Sequence, residues 1–584
     1  MQNAIAFCDN DVVVVAWSYG RKLSGCMGFA VYRIDAAGKE TALPSMAVFP
    51  GFTSRPGQTT ASFPVQKFYW KDPYARLVAD KTGSRRFRYR IVPLAGQPAA
   101  LKPMTVAFVI SNEIEISATV APGLRAVFNR GLISTQRISN ALGGKPSKAA
   151  LLAAIAKPGG ALRTSLAGDM TAALLDFVGR ASSGGALYAA LYELGDDELI
   201  GALEKVGKRL HLVLSNPSAS DGQSASAITD GNAASRQRLA KTAGQLIDRM
   251  LPDGQIGHNK FVVHVDAHGK PAAVLFGSTN WTSTGLCGQT NNTIVCDDAK
   301  LARRYHEYWK QLARDTVAAA GDPKALQRAA LRSWDATSKS FALAGAKATS
   351  WFSPNTPAKR ATIAKEKRPP DMEEVAQLIG AAQQAVLFLA FYPGSPSVAN
   401  WAGAAQKANK SLFVRGCVTH PSAAESFYYE LHGSGPAKGS HQDPRVIQAQ
   451  ALGDNIPAGW KKEILSAGFA VTHDKIVVVD PFSDGCAVIT GSHNLGHRAS
   501  FNNDENLVIV RGQRALAAAY ATHVLDIYDH FSWRWTLQSQ SKARAVAEAT
   551  LSLDSDEWQS RYFDAKGNVK VAQLRFWLSA LPAP

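Results

Sequence analysis

A short sequence motif occurs twice in this chain of 584 residues, and this repeat constrains the fold more than any other feature. In the first copy His258 and Lys260 begin an apolar run, and in the second copy His473 and Lys475 do the same. Each copy is followed by Gly-Ser-x-Asn, whose glycine lies 19 residues after the first histidine and 18 residues after the second. Two copies with almost equal spacing, each on an apolar run typical of a strand, predict two halves with similar structures.

The arrangement of each copy also has a chemical meaning. Residues i and i+2 of a strand share a face, so the histidine and lysine of each pair project together. The next apolar runs, 272–276 and 487–490, end at Gly-Ser-x-Asn, and a hairpin would return this segment to the pair. Each half would then place an imidazole, an ammonium, a hydroxyl and an amide at one point. The hydroxyls and amides are those of Ser278 and Asn280 in the first copy and of Ser492 and Asn494 in the second.

The pattern His-x-Lys, a following aspartate and Gly-Ser-x-Asn resembles the phospholipase D superfamily over roughly residues 119–540. The resemblance implies that the halves pair about a pseudo-two-fold axis, with His258 and His473 facing one substrate phosphate. One histidine would attack phosphorus and form a phosphohistidine, while the other would protonate the leaving oxygen and then activate water or an acceptor alcohol. The groups implied to bind the phosphate are those of Lys260, Ser278, Asn280, Lys475, Ser492 and Asn494.

This chemistry agrees with the properties of the residues. Histidine titrates near neutrality, so one ring can be neutral and nucleophilic while the other is charged and acidic. A covalent intermediate divides one difficult reaction into two easier steps. Two ammonium groups with amides and hydroxyls can stabilise the charge of the phosphoryl oxygens, so we expect neither a metal nor another cofactor.

The two copies differ at the aspartate of the family pattern. Asp480 follows Lys475 by five residues, as the pattern requires, and the resemblance implies a structural role for it. The corresponding residue of the first half is Val265, and the adjacent Asp266 is interpreted as a turn residue in Asp-Ala-His-Gly. Three other histidines near the motifs are predicted to be ordinary core or surface residues: His264, His493 and His497.

A second difference concerns the residue that orients a catalytic imidazole in this family. Glu505 lies 11 residues after Asn494, and the matching residue of the first half is Asn291, for which we expect a structural role. A carboxylate raises the basicity of an imidazole, whereas an amide only orients it. Which histidine contacts Glu505 depends on the tertiary structure. Family habit favours His258 as the nucleophile and His473 as the general acid, and the reverse assignment stays open.

The pattern of apolar runs changes along the chain and predicts three regions. Residues 1–118 are rich in short β-branched and aromatic runs, which indicate a β-sandwich-like domain. Residues 119–340 and 341–584 alternate helices with apolar strands, and the second region ends in a helical tail. We predict an α/β fold of two pseudo-symmetric halves, each a mixed sheet flanked by helices, in which 184–206 and 236–250 are helical.

The net charge of +17 predicts an anionic partner, either nucleic acid or an anionic membrane surface, although the excess could serve solubility alone. The N-terminus lacks the features of a signal peptide, and we expect no transmembrane span. Six scattered cysteines suit a reducing compartment. These features predict a cytoplasmic protein, with peripheral contact at a membrane as a further expectation, and an intramolecular two-half site predicts a monomer.

Three arginines of the N-terminal region could form an anion-binding strip. Arg86, Arg88 and Arg90 alternate with Phe87 and Tyr89, so on a strand the guanidinium groups share one face. Such groups could bind phosphates. We favour the simpler interpretation of a solvated face above a packed aromatic pair, because any half-buried strand shows this alternation.

The resemblance leaves the substrate open. Two motif copies in one chain favour a phospholipase D-type phosphodiesterase that cleaves or transfers a phosphodiester, in the first place a phospholipid headgroup. The alternative is a metal-independent nuclease of the same superfamily acting on DNA or RNA. A binding protein without catalysis would be expected to lack a histidine or lysine of one pair, and both pairs are intact.

Overall fold

The computed structural model describes residues 4–53, 55–131, 147–217, 230–358, 367–434, 443–449, 471–539, 550–563 and 569–581. The N-terminal region contains a three-stranded antiparallel sheet of order β1-β2-β5 and a second antiparallel sheet of order β4-β3-β6-β7, with β8 and β9 also paired to β6. Its elements are β1 (Ala4–Cys8), β2 (Val13–Trp17), β3 (Gly28–Ile34), β4 (Glu40–Ala42), β5 (Tyr69–Asp72), α1 (Ala75–Thr82), β6 (Arg86–Ala95), β7 (Lys102–Pro103), β8 (Val109–Ile110) and β9 (Ile114–Glu115).

Strand β6 carries the arginine strip, and its side chains alternate as expected. Phe87 and Tyr89 are buried, and the arginines lie on the opposite, more exposed face. Each arginine pairs with a carboxylate: Arg86 with Glu115 of β9 at 3.2 Å, Arg88 with Glu113 just before β9 at 3.5 Å, and Arg90 with Glu40 of β4. The interpretation as a solvated face is therefore confirmed, since carboxylates already neutralise the guanidinium groups.

The first motif copy lies in an eight-stranded mixed sheet of order β10-β11-β18-β16-β15-β12-β13-β14. Strands β12, β13 and β14 are parallel, and β15 and β16 form an antiparallel hairpin. The elements are β10 (Thr119–Ala121), β11 (Leu124–Phe128), α2 (Lys148–Ala156), α3 (Ala161–Ala167), α4 (Met170–Gly179), β12 (Ala186–Leu191), α5 (Asp197–Val206), β13 (Leu210–Ser215), α6 (Ala233–Leu239), β14 (Gln245–Arg249), β15 (Lys260–Val265), β16 (Pro271–Gly277), α7 (Ser283–Cys287), β17 (Gln289–Thr290), β18 (Asn292–Cys296) and α8 (Ala299–Ala318).

The second motif copy lies in a sheet of the same design, with order β19-β20-β27-β26-β25-β21-β22-β23. Position by position, β25 and β26 correspond to the hairpin β15 and β16, and β21 corresponds to β12. The elements are α9 (Ala329–Asp335), β19 (Lys339–Leu343), β20 (Ala346–Ser353), α10 (Pro370–Gly380), β21 (Ala385–Ala390), α11 (Val398–Ala408), β22 (Phe413–Val418), α12 (Pro421–His432), β23 (Val446–Gln448), β24 (Val471–Thr472), β25 (Lys475–Val479), β26 (Ala487–Gly491), α13 (His497–Asn502), β27 (Glu505–Arg511) and α14 (Arg514–Ser539). The predicted fold class of two mixed sheets flanked by helices is confirmed.

Two helix predictions are wrong in part. The segment 184–206 contains β12 as well as α5, and the segment 236–250 contains the end of α6 followed by β14. In β12 the sequence Ala-Leu-Tyr-Ala-Ala-Leu is apolar throughout. It therefore lacks the alternation of polar and apolar residues that distinguishes a strand from a helix in the sequence. Helix α5 does carry a start signal, because Oδ1 of Asp196 accepts a hydrogen bond from the Leu199 amide at 3.2 Å.

The two sheets and their longest helices share one buried core. The same cluster contains Phe261 of β15, Ile476 of β25, Tyr305 of α8 and Tyr520 of α14. The short strands β17 and β24 also pair across the halves, with Thr290 opposite Thr472. This packing fixes the two motif copies relative to each other.

The C-terminal helices α15 (Glu557–Phe563) and α16 (Val569–Leu578) return to the N-terminal region. Trp558 and Tyr562 of α15 are buried in the same cluster as Trp17 and Phe29. The domain boundaries at 118/119 and 340/341 stay a prediction, because packing crosses the first of them and β19 spans the second. In the described ranges, no helix combines the length and apolarity needed to cross a bilayer.

Candidate active site

The two motif histidines meet although they are 215 residues apart in sequence. His258 and His473 each lie two residues before the central hairpin of their sheet. Their ring centroids are 6.2 Å apart and the ring planes are inclined by 69°. Both side chains are buried. The hairpins return the Gly-Ser-x-Asn segments toward the histidines: the Ser492 carbonyl oxygen lies 3.1 Å from Nδ1 of His258, and Ser278 bonds Asn291, the partner of His473.

Each histidine is held by residues of the opposite half. Nδ1 of His258 lies 2.9 Å from Oε2 of Glu505 and 3.1 Å from the carbonyl oxygen of Ser492. Nδ1 of His473 lies 2.8 Å from Oδ1 of Asn291. Because Nδ1 of each ring is engaged in this way, Nε2 is the nitrogen left for chemistry. The question that the sequence left open therefore has an answer: the carboxylate contacts His258 and the amide contacts His473.

Burial dominates the protonation of both rings. It lowers the pKa of His258 to about 4, with Glu505 opposing this change and Lys260 adding to it. The pKa of His473 is lowered well below its ordinary value by burial and by the charges of Lys475 and Lys260, without a carboxylate hydrogen bond to oppose them. Both imidazoles are therefore neutral near pH 7 before an anionic substrate enters.

The two lysines are buried beside the histidines. Nζ of Lys260 donates to the carbonyl oxygen of His258 at 2.8 Å, and Nζ of Lys475 donates to that of His473. Burial lowers the pKa of Lys260 to about 7, against the opposing effect of Glu505 and Glu193. The pKa of Lys475 lies well below its ordinary value because of burial and the charge of Lys260. A phosphate between these groups would favour their charged forms.

Residues 375–527 match the family model described as cardiolipin synthase, PLD-like domain, and this range contains the second motif with Glu505. This part of the chain is a phospholipase D-like domain. The first motif lies outside the matched range and is related to the second by the common strand order of the two sheets. A search of curated proteins found no match.

Three solved structures are similar to this chain at low identity. Phosphatidylserine synthase from Haemophilus influenzae Rd KW20 shares 13% identity, with a TM-score of 0.40 over 70% of this chain and 90% of that one. Nuc from Salmonella typhimurium, described as a phospholipase D family member, shares 17% identity, with a TM-score of 0.20 over 25% of this chain and 87% of that one. A mutant of yeast tyrosyl-DNA phosphodiesterase 1 shares 11% identity, with a TM-score of 0.32 over 58% and 86%.

Two aromatic residues complete the surroundings of the motifs and were not predicted from the sequence. Tyr192 and Phe391 each follow the corresponding strand of their half, β12 or β21. The Tyr192 ring lies 5.1 Å from the ring of His258, and the Phe391 ring lies 4.6 Å from that of His473. The Nζ atoms of the two lysines lie over the same rings, at 5.1 and 4.9 Å. Aligning the two halves at the residue that directly follows β12 and β21 would have shown this shared aromatic position in the sequence.

The glycine of each Gly-Ser-x-Asn segment is required by a close backbone approach. A Cβ atom on Gly277 would lie 2.2 Å from the carbonyl oxygen of Asn292, and one on Gly491 would lie 2.3 Å from that of Asn506. Real side chains do not tolerate such distances. The segment therefore packs directly against the neighbouring strand, which brings the following serine and asparagine into position.

The serines of the two segments have partners inside the protein. Oγ of Ser278 donates to Oδ1 of Asn291 at 2.9 Å, and Oγ of Ser492 accepts from the backbone amide of Asn506 at 3.0 Å. Both serines are fully buried. Their hydroxyls thus connect the segment to the strand that carries the histidine partner of the other half. A direct bond from either serine to phosphate stays a prediction.

The asparagines of the two segments make fewer hydrogen bonds to described residues than the serines do. Nδ2 of Asn280 donates to Oε2 of Glu193 at 2.6 Å, a contact that the sequence did not predict. The Oδ1 atoms of Asn280 and Asn494 are buried, and among the described residues neither has a hydrogen-bond partner. The unpaired atom of each amide is therefore a hydrogen-bond acceptor.

The two aspartates occupy different environments, as the sequence predicts. The carboxylate of Asp480 accepts backbone N–H groups of Gln383, Gln384 and Ala385 at 2.8, 2.7 and 2.8 Å, which fixes the turn between α10 and β21. Asp266 accepts the amides of His268 and Lys270 at 2.9 and 2.8 Å and is confirmed as a turn residue.

A buried ion pair supports Glu505 from the first half and was missed by sequence reasoning. Nε of Arg249, the last residue of β14, lies 2.5 Å from Oδ2 of Asp504, and Nη1 lies 2.9 Å from Asp315. Asp504 directly precedes Glu505, so the pair fixes the loop that presents this carboxylate to His258. No local pattern around Arg249 indicated this contact, because its partner lies 255 residues away.

The remaining histidines near the motifs have structural surroundings. Nε2 of His493 lies 2.9 Å from Oγ of Ser500 and 3.2 Å from Oδ2 of Asp371. His264 lies within β15 and His497 begins α13. Within the described part of the chain, no group of three or more His, Cys, Asp or Glu side chains is arranged to hold a metal ion.

Proposed function

We propose that this protein is a phospholipase D-type phosphodiesterase that cleaves or transfers a phospholipid headgroup through a phosphohistidine intermediate on His258. The observation that carries the proposal is the pair of imidazoles at 6.2 Å, of which only His258 contacts a carboxylate, that of Glu505. This spacing is suited to a phosphate between two rings that act in turn. The contact with Glu505 supports His258 as the nucleophile.

In the first step Nε2 of His258 attacks phosphorus, and the bond between phosphorus and the leaving oxygen breaks. The leaving oxygen takes the proton from Nε2 of His473, which acts as the general acid. The phosphorylated ring of His258 is cationic while Nδ1 keeps its proton. Its hydrogen bond to Glu505 stabilises that charge, as a carboxylate behind a catalytic imidazole generally does.

In the second step His473 is neutral and accepts a proton from water or from an acceptor alcohol. The oxygen of this nucleophile attacks phosphorus, the bond between phosphorus and Nε2 of His258 breaks, and both histidines return to their initial state. Water gives hydrolysis and an alcohol gives transfer. Asn291 orients His473 through Nδ1 in both steps, without the charge that would make the ring a stronger nucleophile.

The phosphoryl charge is stabilised by protein groups in this mechanism. Lys260 and Lys475 lie beside the two histidines, and we assign the amide N–H groups of Asn280 and Asn494 as further donors to the phosphoryl oxygens. An incoming phosphodiester anion raises the pKa values of both lysines and of His473, which favours the charged acid that the first step needs. Neither a metal nor another cofactor is required for this chemistry.

Two observations support a phospholipid over nucleic acid. The arginine strip on β6, which could have served a polyanion, is neutralised by Glu115, Glu113 and Glu40. In addition, the carboxylate of Glu193 lies at the site, where it would repel the neighbouring phosphates of a strand. The net charge of +17 fits contact with an anionic membrane surface. We also propose that the protein acts as a monomer, since both halves of the site come from one chain.

A metal-independent nuclease is the second candidate, and the same net charge favours it. A parallel assay separates the two. The purified protein would be incubated with phospholipid vesicles containing anionic lipid, with single- and double-stranded DNA and with RNA, and release of headgroup or of nucleotides measured. We expect headgroup release that is lost in a His258→Ala or His473→Ala variant. Cleavage of nucleic acid without headgroup release would replace the lipid assignment by the nuclease.

A further inference from the structure

Glu193 is a carboxylate inside a site built to bind an anion. It follows Tyr192 at the end of β12, and its backbone oxygen accepts the Trp281 amide at 3.0 Å. Its Oε2 accepts from Nδ2 of Asn280 at 2.6 Å. These two bonds attach Glu193 to the Gly-Ser-x-Asn segment of the first half. The side chain keeps some solvent-accessible surface, so a ligand can reach it.

The charge of Glu193 is part of the electrostatics of the site. Burial raises the pKa of Glu193 above its ordinary value, and the nearby Lys260 and Lys475 and the bond from Asn280 oppose this only in part. Conversely, Glu193 is among the groups that oppose the lowered pKa of both lysines. A carboxylate in this position weakens the binding of a bare phosphate, because the like charges repel. A part of the substrate other than the phosphate could offset this repulsion.

The second half has no carboxylate at the corresponding position. Tyr192 and Phe391 correspond, so the residue that matches Glu193 is Tyr392, whose neutral side chain is 45% exposed and lies 5.5 Å from the ring of His420. The two substituents of a phosphodiester thus meet different surroundings, an anionic acceptor on one side and aromatic rings on the other. Such a difference can distinguish a polar headgroup from the rest of the lipid.

We propose that Glu193 is a specificity-determining residue that accepts a hydrogen bond from a donor group, a hydroxyl or an ammonium, on the polar headgroup of the substrate. This inference rests on the proposed function. The carboxylate offers Oε1 to the headgroup while Oε2 remains bound to Asn280. The phosphate of the substrate then pairs with the two lysines, and a donor on the headgroup pairs with the carboxylate of Glu193. Each part of the substrate therefore has a complementary partner.

The test compares three phospholipids with the same acyl chains in mixed micelles: phosphatidylethanolamine with an ammonium, phosphatidylglycerol with hydroxyls, and phosphatidylethanol with no donor. We expect the wild type to prefer at least one donor-bearing lipid over phosphatidylethanol by about 10- to 100-fold in kcat/KM, as for a hydrogen bond to a charged group. Glu193→Ala should abolish this preference for the donor-bearing lipid. Glu193→Gln, which keeps an acceptor, should retain it for a hydroxyl headgroup and lose most of it for an ammonium.

The matched control is Tyr392→Phe, which changes the corresponding position of the second half and should leave the ratio unaltered. An unchanged ratio in Glu193→Ala would overturn the inference, and so would an equal loss of kcat on all three lipids, which would indicate that Glu193 only positions Asn280. In both cases the wild-type activity would leave the proposed function standing. If the wild type turned over none of the lipids, the proposed function itself would fail, and the inference with it.

Discussion

Oε2 of Glu505 lies 2.9 Å from Nδ1 of His258, although the two residues are separated by 247 positions and belong to different halves of the chain. The corresponding partner of His473 is the amide of Asn291. The two histidines of one site are therefore unequal, and this difference determines which ring carries the phosphoryl group in the proposed mechanism.

Glu505→Gln removes the negative charge beside Nδ1 of His258 and keeps the shape of the side chain at position 505. We expect kcat to fall by about 10²- to 10⁴-fold, because the cationic phosphohistidine loses its carboxylate. The pH profile gives the sign of the effect. His258 must be neutral to attack, so kcat/KM falls as the pH falls through its pKa of about 4, and without Glu505 this acid limb moves to lower pH. An acid limb that stayed in place or moved upward would contradict the assignment.

The division of labour between the histidines can be tested with a leaving group that needs no proton. With a p-nitrophenyl phosphodiester, His473→Asn should still form the phosphohistidine on His258 and release about one equivalent of nitrophenol in a burst. His258→Asn should give no burst. Mass spectrometry of the quenched reaction should locate the phosphate on His258. Phosphate on His473 would reverse the roles.

Chelation tests the proposed role of the lysines and asparagines as the groups that stabilise phosphoryl charge. We expect kcat/KM to remain within about twofold after dialysis against EDTA, since ammonium and amide groups supply the stabilisation. Lys260→Met and Lys475→Met should each lose activity in the same buffer. Loss of wild-type activity that is restored by a divalent cation would require a different mechanism.

The buried lysines should reduce stability. Burial lowers the pKa of Lys260 from 10.5 to about 7, and each pH unit of this displacement corresponds to about 1.4 kcal/mol. Lys260→Met should therefore raise the free energy of unfolding at pH 7 by about 3 to 4 kcal/mol, after allowance for the lost hydrogen bond to the His258 carbonyl.

The pH dependence of this gain has a definite sign. Between pH 7 and 10.5 the unfolded chain binds the lysine proton and the folded chain has released it, so the stability of the wild type rises with pH in this window. The advantage of Lys260→Met over the wild type should shrink accordingly. Urea unfolding at pH 7 and 9.5 measures both values, with Lys310→Met on α8 as the control. An advantage that stayed constant or grew with pH would show that folding does not lower the pKa of Lys260.

The sequence by itself determined the parts of the site that depend on local pattern. His258 with Lys260 and His473 with Lys475 could be found because a strand places residues i and i+2 on one face, and the hairpins follow from a second apolar run at nearly equal spacing after each pair. The structural role expected for Asp480 also follows from the motif, since it bonds backbone amides of a turn. The apolar strand β12 was wrongly included in a helix, because a run without period carries no such signal.

Only the tertiary structure decided which groups from separate segments of the chain meet, within one half or across the two. The contact of Glu505 with His258, the pair of Arg249 with Asp504 and the bond of Asn280 to Glu193 join residues that are distant in sequence. The physical reason is that these contacts are set by the packing of two sheets around a common core, which no local spacing records. The repeat thus defines the chemistry of the two halves, and the packing makes them unequal.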